Sequence, residues 1–251
     1  RFYLYNGAYW EILSDETLKH FLGRAAERLG LEHHKASYYD FQDKLLKQFA
    51  ASSFQAAPVP AEGLTLINLQ NGTLEITPDG ANVRAFNPAD FLTYQLPFAY
   101  DPTAQAPQFG AYLDRVLPDP SLQHILGEFT GWIFTRQHPK LEKALFLYGT
   151  GANGKSVFFE VLNALLGANN VANYSLKSLT EEKGYYRATL ASKLLNCTAE
   201  TGGTMESHFF KTLVSGEPVE ARLPYGVPLT LRLTTKFMFN CNELPRDVEH
   251  N

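Results

Sequence analysis

Residues 144–156 read Ala-Leu-Phe-Leu-Tyr-Gly-Thr-Gly-Ala-Asn-Gly-Lys-Ser. A short apolar run enters a glycine-rich turn, and a helix-compatible run, Val157 to Leu166, leaves it. Gly149, Thr150, Gly151, Ala152, Asn153, Gly154, Lys155 and Ser156 fit the pattern G-x-x-x-x-G-K-[ST] in the order strand, turn, helix. Glycines at these places let successive backbone N–H groups turn inward around phosphates, and the following helix N-terminus adds favourable partial charge. In such a loop Lys155 reaches the β- and γ-phosphates and the Ser156 hydroxyl holds Mg²⁺. The chain is therefore expected to bind a nucleoside triphosphate, with ATP and Mg²⁺ as the natural pair.

Two further apolar runs end in polar side chains. Lys193-Leu-Leu-Asn-Cys-Thr-Ala-Glu200 finishes on a carboxylate, and Phe237-Met-Phe-Asn240-Cys-Asn242-Glu-Leu-Pro245 finishes on asparagines and a proline stop. In phosphate-loop ATPases an acid at the end of a neighbouring parallel strand holds Mg²⁺ or polarises the attacking water, a place Glu200 suits. An asparagine there can bond both the γ-phosphate and the water. Asn240 and Asn242 share a face by the period of two, so spacing leaves both open. Between these runs, Val219–Leu223 and Leu229–Leu233 alternate around Pro224-Tyr-Gly-Val-Pro228 and predict a hairpin. Its polar face carries Glu220, Arg222, Thr230 and Arg232, with Tyr225 at the turn. That face is either solvated or grips a nucleic acid through arginine–phosphate contacts and tyrosine stacking.

The elements that must position these groups follow from periodicity. Phe2–Tyr5 and Tyr9–Ile12 predict a hairpin about Asn6-Gly7. Asp15 is expected to cap a helix running to about Leu29, with Leu18, Phe21, Leu22, Ala25, Ala26 and Leu29 on its apolar face. A second helix covers roughly Tyr39–Ala50. Leu64–Leu69 and Thr73–Ile76 flank a type I′ turn at Asn71-Gly72, and Asn82–Phe86 gives a third strand. Helices are predicted at about Gln108–Val116, from Pro120 to Ile133, and at about Glu206–Val214. The face Leu122, Ile125, Leu126, Phe129, Trp132 and Ile133 reads as core. A boundary near residue 104 separates an N-terminal α+β domain, 1–103, from an α/β domain, 104–251, with a central, mainly parallel sheet.

A chain of 251 residues that is 45% apolar and 19% charged is a globular composition with room for a large core. A net charge of −4 excludes a global basic field, so any nucleic-acid contact must be local. No apolar run is long enough to span a bilayer. Cys197 and Cys241 both sit in apolar runs and are expected as buried free thiols, which suits a reducing cytoplasm. Asn71-Gly-Thr73, Asn173-Tyr-Ser175 and Asn196-Cys-Thr198 match the glycosylation pattern by accident of turn and strand. The start at Arg1 and the stop at Asn251, soon after a strand, read as those of a fragment.

This order of elements resembles the superfamily 3 helicases, in particular the poxvirus-type and phage or plasmid primase-helicases. The resemblance rests on residues 149–156, on Leu194–Glu200, on Lys211-Thr-Leu-Val-Ser-Gly-Glu-Pro-Val-Glu-Ala-Arg222, and on Lys236–Pro245. Upstream, Ile67–Gly72 and Leu96–Pro102 are similar to the region that precedes the ATPase in that family. The resemblance implies an AAA+-like core and a homo-oligomeric ring, usually a hexamer, that pulls single-stranded DNA through its channel. It also implies a primase domain in the same full-length protein. It selects Asn242 as the sensor and makes Lys211 and Arg222 part of the hairpin motif, there to touch either DNA or a neighbouring subunit's nucleotide. Two departures stand out: Glu217 replaces the family's more frequent aspartate, and the family's arginine finger falls beyond Asn251, Arg246 being too near the sensor. The chain by itself is thus expected to bind nucleotide and hydrolyse it weakly. Two rival classes share the loop. A small-molecule kinase needs an acceptor-binding lid, which the sequence does not offer. A nucleotide-sensing oligomerisation or origin-binding module would bind DNA without unwinding it.

Overall fold

The computed structural model describes residues 2–56, 63–135, 141–198, 204–223, 226–243 and 246–247. They form two units: Arg1–Ala61 with Ala85–Gln95, and Glu62–Arg84 with Leu96–Asn251.

In the first unit, β1 (Phe2–Tyr5) pairs antiparallel with β2 (Trp10–Leu13), one residue later than the sequence pattern suggests. Asn6 fixes the turn: its Oδ1 accepts from the N–H groups of Ala8 and Tyr9. Helix α1 (Asp15–Arg28) follows, then the short α2 (His33–Ala36) and α3 (Tyr39–Ser52). The cap of α1 is Ser14, not Asp15. Ser14 Oγ accepts from Thr17 N at 3.1 Å, and Asp15 instead places its charge in the first turn, where the helix dipole favours it. Leu18 is buried as expected, whereas Phe21 and Leu29 of the same apolar stripe are exposed. Gly23 faces the neighbouring segment, where a Cβ would stand 2.9 Å from the Ala36 carbonyl.

The second unit opens with an antiparallel meander, β3 (Thr65–Leu69), β4 (Gly72–Thr77) and β5 (Gly80–Arg84). The register pairs Leu69 with Gly72, so the two-residue turn is Gln70-Asn71, one step earlier than an Asn71-Gly72 turn. Gly72 is needed as the first strand residue: its φ is 145°, and a Cβ would press on the Arg84 carbonyl. The meander clusters with the C-terminal residues, and backbone hydrogen bonds from Leu96 N to the Asn68 carbonyl and from Gln70 N to the Phe98 carbonyl tie it to them.

Helices α4 (Pro107–Val116) and α5 (Pro120–Trp132) precede β6 (Leu145–Tyr148) and α6 (Lys155–Leu166). Then come β7 (Val171–Ala172), α7 (Leu176–Thr180), α8 (Tyr185–Thr189), β8 (Leu195–Thr198), β9 (Thr204–Met205) and α9 (Ser207–Ser215). The hairpin β10 (Val219–Arg222) and β11 (Pro228–Leu231), β12 (Lys236–Cys241) and β13 (Arg246–Asp247) complete the described chain.

Four of these strands make a parallel sheet in the order β6-β12-β8-β7. The chain runs from β6 to the far edge, returns through β8, and inserts β12 last between β6 and β8. Every residue of β12 is buried, as the nearly continuous apolar run Lys-Phe-Met-Phe-Asn-Cys of an interior parallel strand requires. Phe237 and Phe239 meet Leu179, Leu190, Leu213 and Leu233 in the core on one face. Cys197 and Cys241 are buried free thiols, and burial pushes the Cys197 thiol far up. Of the α5 face, Leu126, Phe129 and Ile133 are buried, but Leu122 and Ile125 are half exposed. Among the described residues no helix is long and apolar enough to cross a membrane.

Candidate functional site

In an open parallel sheet, ligands settle outside the carboxyl ends of the strands where the chain order reverses. Here that point lies between β6 and β12. Their register sets Cys241 beside Tyr148, so both strands end at the glycine-rich turn. Gly149 N donates to the Cys241 carbonyl at 3.2 Å and ties the turn's first residue to β12.

The turn itself is built by left-handed backbone at Ala152 (φ 60°) and Gly154 (φ 90°), the latter being the residue before the first turn of α6. A Cβ at Gly149 would overlap the Asn153 amide, and one at Gly154 would stand 2.8 Å from Val116 Cγ1. Gly154 needs glycine for space as well as for conformation, whereas at Gly149 a Cβ would displace the Asn153 side chain. Lys155 folds its ammonium back over the turn, donating to the Gly149 carbonyl at 2.6 Å and to Asn153 Oδ1 at 2.9 Å. Its charge thereby sits at the mouth of the concavity that the turn encloses.

The cleft in front of the turn measures ≈ 870 Å³ and is lined by Gly151–Val157, by Asn240 and Asn242, and by Tyr112, Arg115 and Val116 of α4. The structure so brings together the turn and both asparagines. It also separates the asparagines' environments. Asn240 is buried and directs its Nδ2 at the Lys155 carbonyl, 3.5 Å away, so it braces the start of α6. Asn242 lies just past the strand end and is exposed at the cleft. Ser156, in the first turn of α6, is exposed to the same space. Glu200 lies outside the described residues. Its strand, β8, is described to Thr198, which pairs with Phe239 of β12, so β8 runs beside the cleft's central strand.

The hairpin forms as the alternation predicts, with Glu220 opposite Thr230 and Arg222 opposite Pro228 on the exposed face and Val219 and Ala221 buried. Arg222 Nε donates to the Gly226 carbonyl at 2.8 Å and so closes the turn. Arg232 and Lys211 are exposed, one just past β11 and the other on α9. Tyr225 lies outside the described residues.

Residues 1–118 match the family described as D5 N terminal like, a family of primase-helicase N-terminal regions. Residues 147–251 match a second, described as a family of unknown function, DUF5906. No curated protein matches the chain. Among solved structures it is similar to the apo structure of the NrS-1 C terminal region (305-718), at 14% identity and TM-score 0.44 over 76% of this chain and 57% of that one. The A form apo structure of that region gives 13% identity and TM-score 0.42 over 74% and 55%. The chain thus spans little more than half the length of these structures.

Three residues that matter here carry no local sequence signal. Tyr112 and Arg115 precede the turn by more than thirty positions, and the i, i+3 spacing on α4 is the one clue that they share a face. Tyr112 Oη donates to the Gly154 carbonyl at 2.8 Å, and its ring stacks on Phe109, which stacks on Phe158 of α6. Arg187 looks like an ordinary helix arginine but is fully buried. It donates to the carbonyls of Leu179, Glu181, Glu182 and Glu220 and lies 4.4 Å from the Phe209 ring centroid. It therefore ties β10 of the hairpin to the end of α7, and burial lowers its pKa.

Proposed function

We propose that this chain is the nucleotide-binding motor part of a DNA helicase of the primase-helicase type, which binds ATP and works on single-stranded DNA as a homo-oligomeric ring. The observation that carries the reading is the convergence of the glycine-rich turn and Asn242 on one cleft at the β6–β12 reversal point. The match of residues 1–118 to the D5 N-terminal-like family supports it. The strand order, with β12 inserted between β6 and β8, supports an AAA+-like core.

In this reading the triphosphate lies in the turn, its oxygens bonded by backbone N–H groups and the α6 N-terminus. Lys155 swings from the Gly149 carbonyl to the β- and γ-phosphates. Ser156 offers the hard oxygen donor that Mg²⁺ prefers, at the place in the first turn where such a loop holds it, so the residues present fit the ion. Mg²⁺, when bound, neutralises phosphate charge. Glu200 takes the proton of the attacking water, Asn242 orients that water in line with the leaving group, and Lys155 stabilises charge on the γ-phosphoryl oxygens. Arg222, Arg232, Lys211 and Tyr225 are the candidates for gripping the DNA backbone and stacking on bases.

The test is ATP hydrolysis by the full-length protein with and without single-stranded DNA, together with its mass in solution. Stimulated turnover by a multi-subunit particle supports the motor. A monomer whose turnover ignores DNA refutes it and leaves a nucleotide pocket of another kind.

A further inference from the structure

The cleft has two unlike ends. One is the tip of β12, with Asn242. The other lies across β6 on the outer flank of the sheet, where α4 meets the loop through Gly154. Helix α4 is fixed there by three contacts: the Tyr112–Gly154 hydrogen bond, the close approach of Val116 to Gly154, and the stack of Phe109 on Phe158. A triphosphate lying along residues 151–156 with its terminal phosphate toward Asn242 must present its nucleoside to α4. At that end the structure offers an arginine without a carboxylate partner among the described residues, an apolar valine, and a tyrosine held in place by its own hydrogen bond. Such a surface suits a flat, π-rich heterocycle: a guanidinium lies on an aromatic face and tolerates being stripped of water better than an ammonium does.

We propose that α4 is the nucleobase wall of this cleft, with Arg115 laying its guanidinium against the base and Val116 packing beside it. This rests on the nucleotide reading above and goes beyond it, since it assigns the end of the site that the loop motif does not specify. It also gives the Tyr112 hydroxyl a purpose. By tethering α4 to Gly154, Tyr112 holds the base wall and the phosphate loop in one frame and acts as a positioning residue.

The experiment compares Mg-ATP with Mg-tripolyphosphate, which carries the phosphates and no base, by titration calorimetry on the full chain. Wild type should bind Mg-ATP more tightly. Arg115→Ala should weaken Mg-ATP by about tenfold, the size of a partly solvated cation–π contact, and leave tripolyphosphate unchanged. Arg115→Lys, which keeps the charge and loses the plane, should forfeit most of the same advantage. Equal weakening of both ligands would make Arg115 a phosphate ligand and overturn the proposal, as would an unchanged affinity for Mg-ATP. Lys155→Ala should weaken both ligands. If wild type itself binds neither, the phosphate-loop reading fails and this inference with it, so the two failures are told apart.

Discussion

Replacing Gly154 by alanine probes the joint between α4 and the loop. Two costs are legible. The residue sits at φ 90°, ψ −10°, where an L side chain is strained by roughly 1–2 kcal/mol. The new Cβ would lie 2.8 Å from Val116 Cγ1, 3.2 Å from Val116 Cβ and 3.3 Å from Tyr112 Cε2. Overpacking of that kind costs about 1–3 kcal/mol. The Gly154→Ala chain should therefore lose about 2–5 kcal/mol in urea unfolding of the second unit, the sum of these two effects. The steric part belongs to Val116 and the conformational part does not. In a double-mutant cycle, Val116→Ala should recover about 1–2 kcal/mol of the loss and leave the remainder, a coupling typical of residues in contact. Strict additivity would show that α4 does not press on the loop, and a base wall on α4 would then have no fixed place.

Lys236, buried at the start of β12 with its ammonium 4.5 Å from the Trp132 ring centroid, donates to the Thr135 and Thr234 carbonyls, and burial pulls its pKa down to about 8. Between pH 8 and 10.5 the unfolded chain holds a proton that the folded chain has released, so stability should rise with pH across that window, by about 3 kcal/mol in full. Lys236→Met should remove that slope in urea midpoints measured through the window; parallel wild-type and variant curves would refute it. Asn242→Ala should leave Mg-ATP affinity within a few-fold while slowing single-stranded-DNA-stimulated hydrolysis by the full-length protein about 10²–10³-fold, the cost of one oriented donor. Asn240→Ala, which unbraces α6, should instead lower stability, and a reversed pattern would exchange the two roles.

The loop was legible in sequence because backbone chemistry dictates its residues: positive φ at Gly154 and the close approach of Val116 leave little choice. The β10–β11 hairpin was legible because one face is buried, and period-two alternation then fixes the register. Other features turn on tertiary geometry. Ser14 and Asp15 are both good helix caps, and which one wins depends on where the chain bends. The α5 stripe has the right period, yet Leu122 and Ile125 stay half exposed, since period gives a face and not the extent of what covers it. Asn240 and Asn242 cannot be ranked by spacing. Burial ranks them, because β12 ends at Cys241 and leaves only Asn242 in the open. Arg187, Tyr112 and Arg115 act through partners far along the chain, so no local pattern marks them.

The most direct measurement is Mg-ATP binding by wild type and by Lys155→Ala, made by calorimetry on the same folded protein. Wild type should bind saturably, and removing the charged hydrogen bonds of Lys155 should weaken binding about ten- to a hundredfold. Equal binding by the two proteins, or none by wild type, would contradict it.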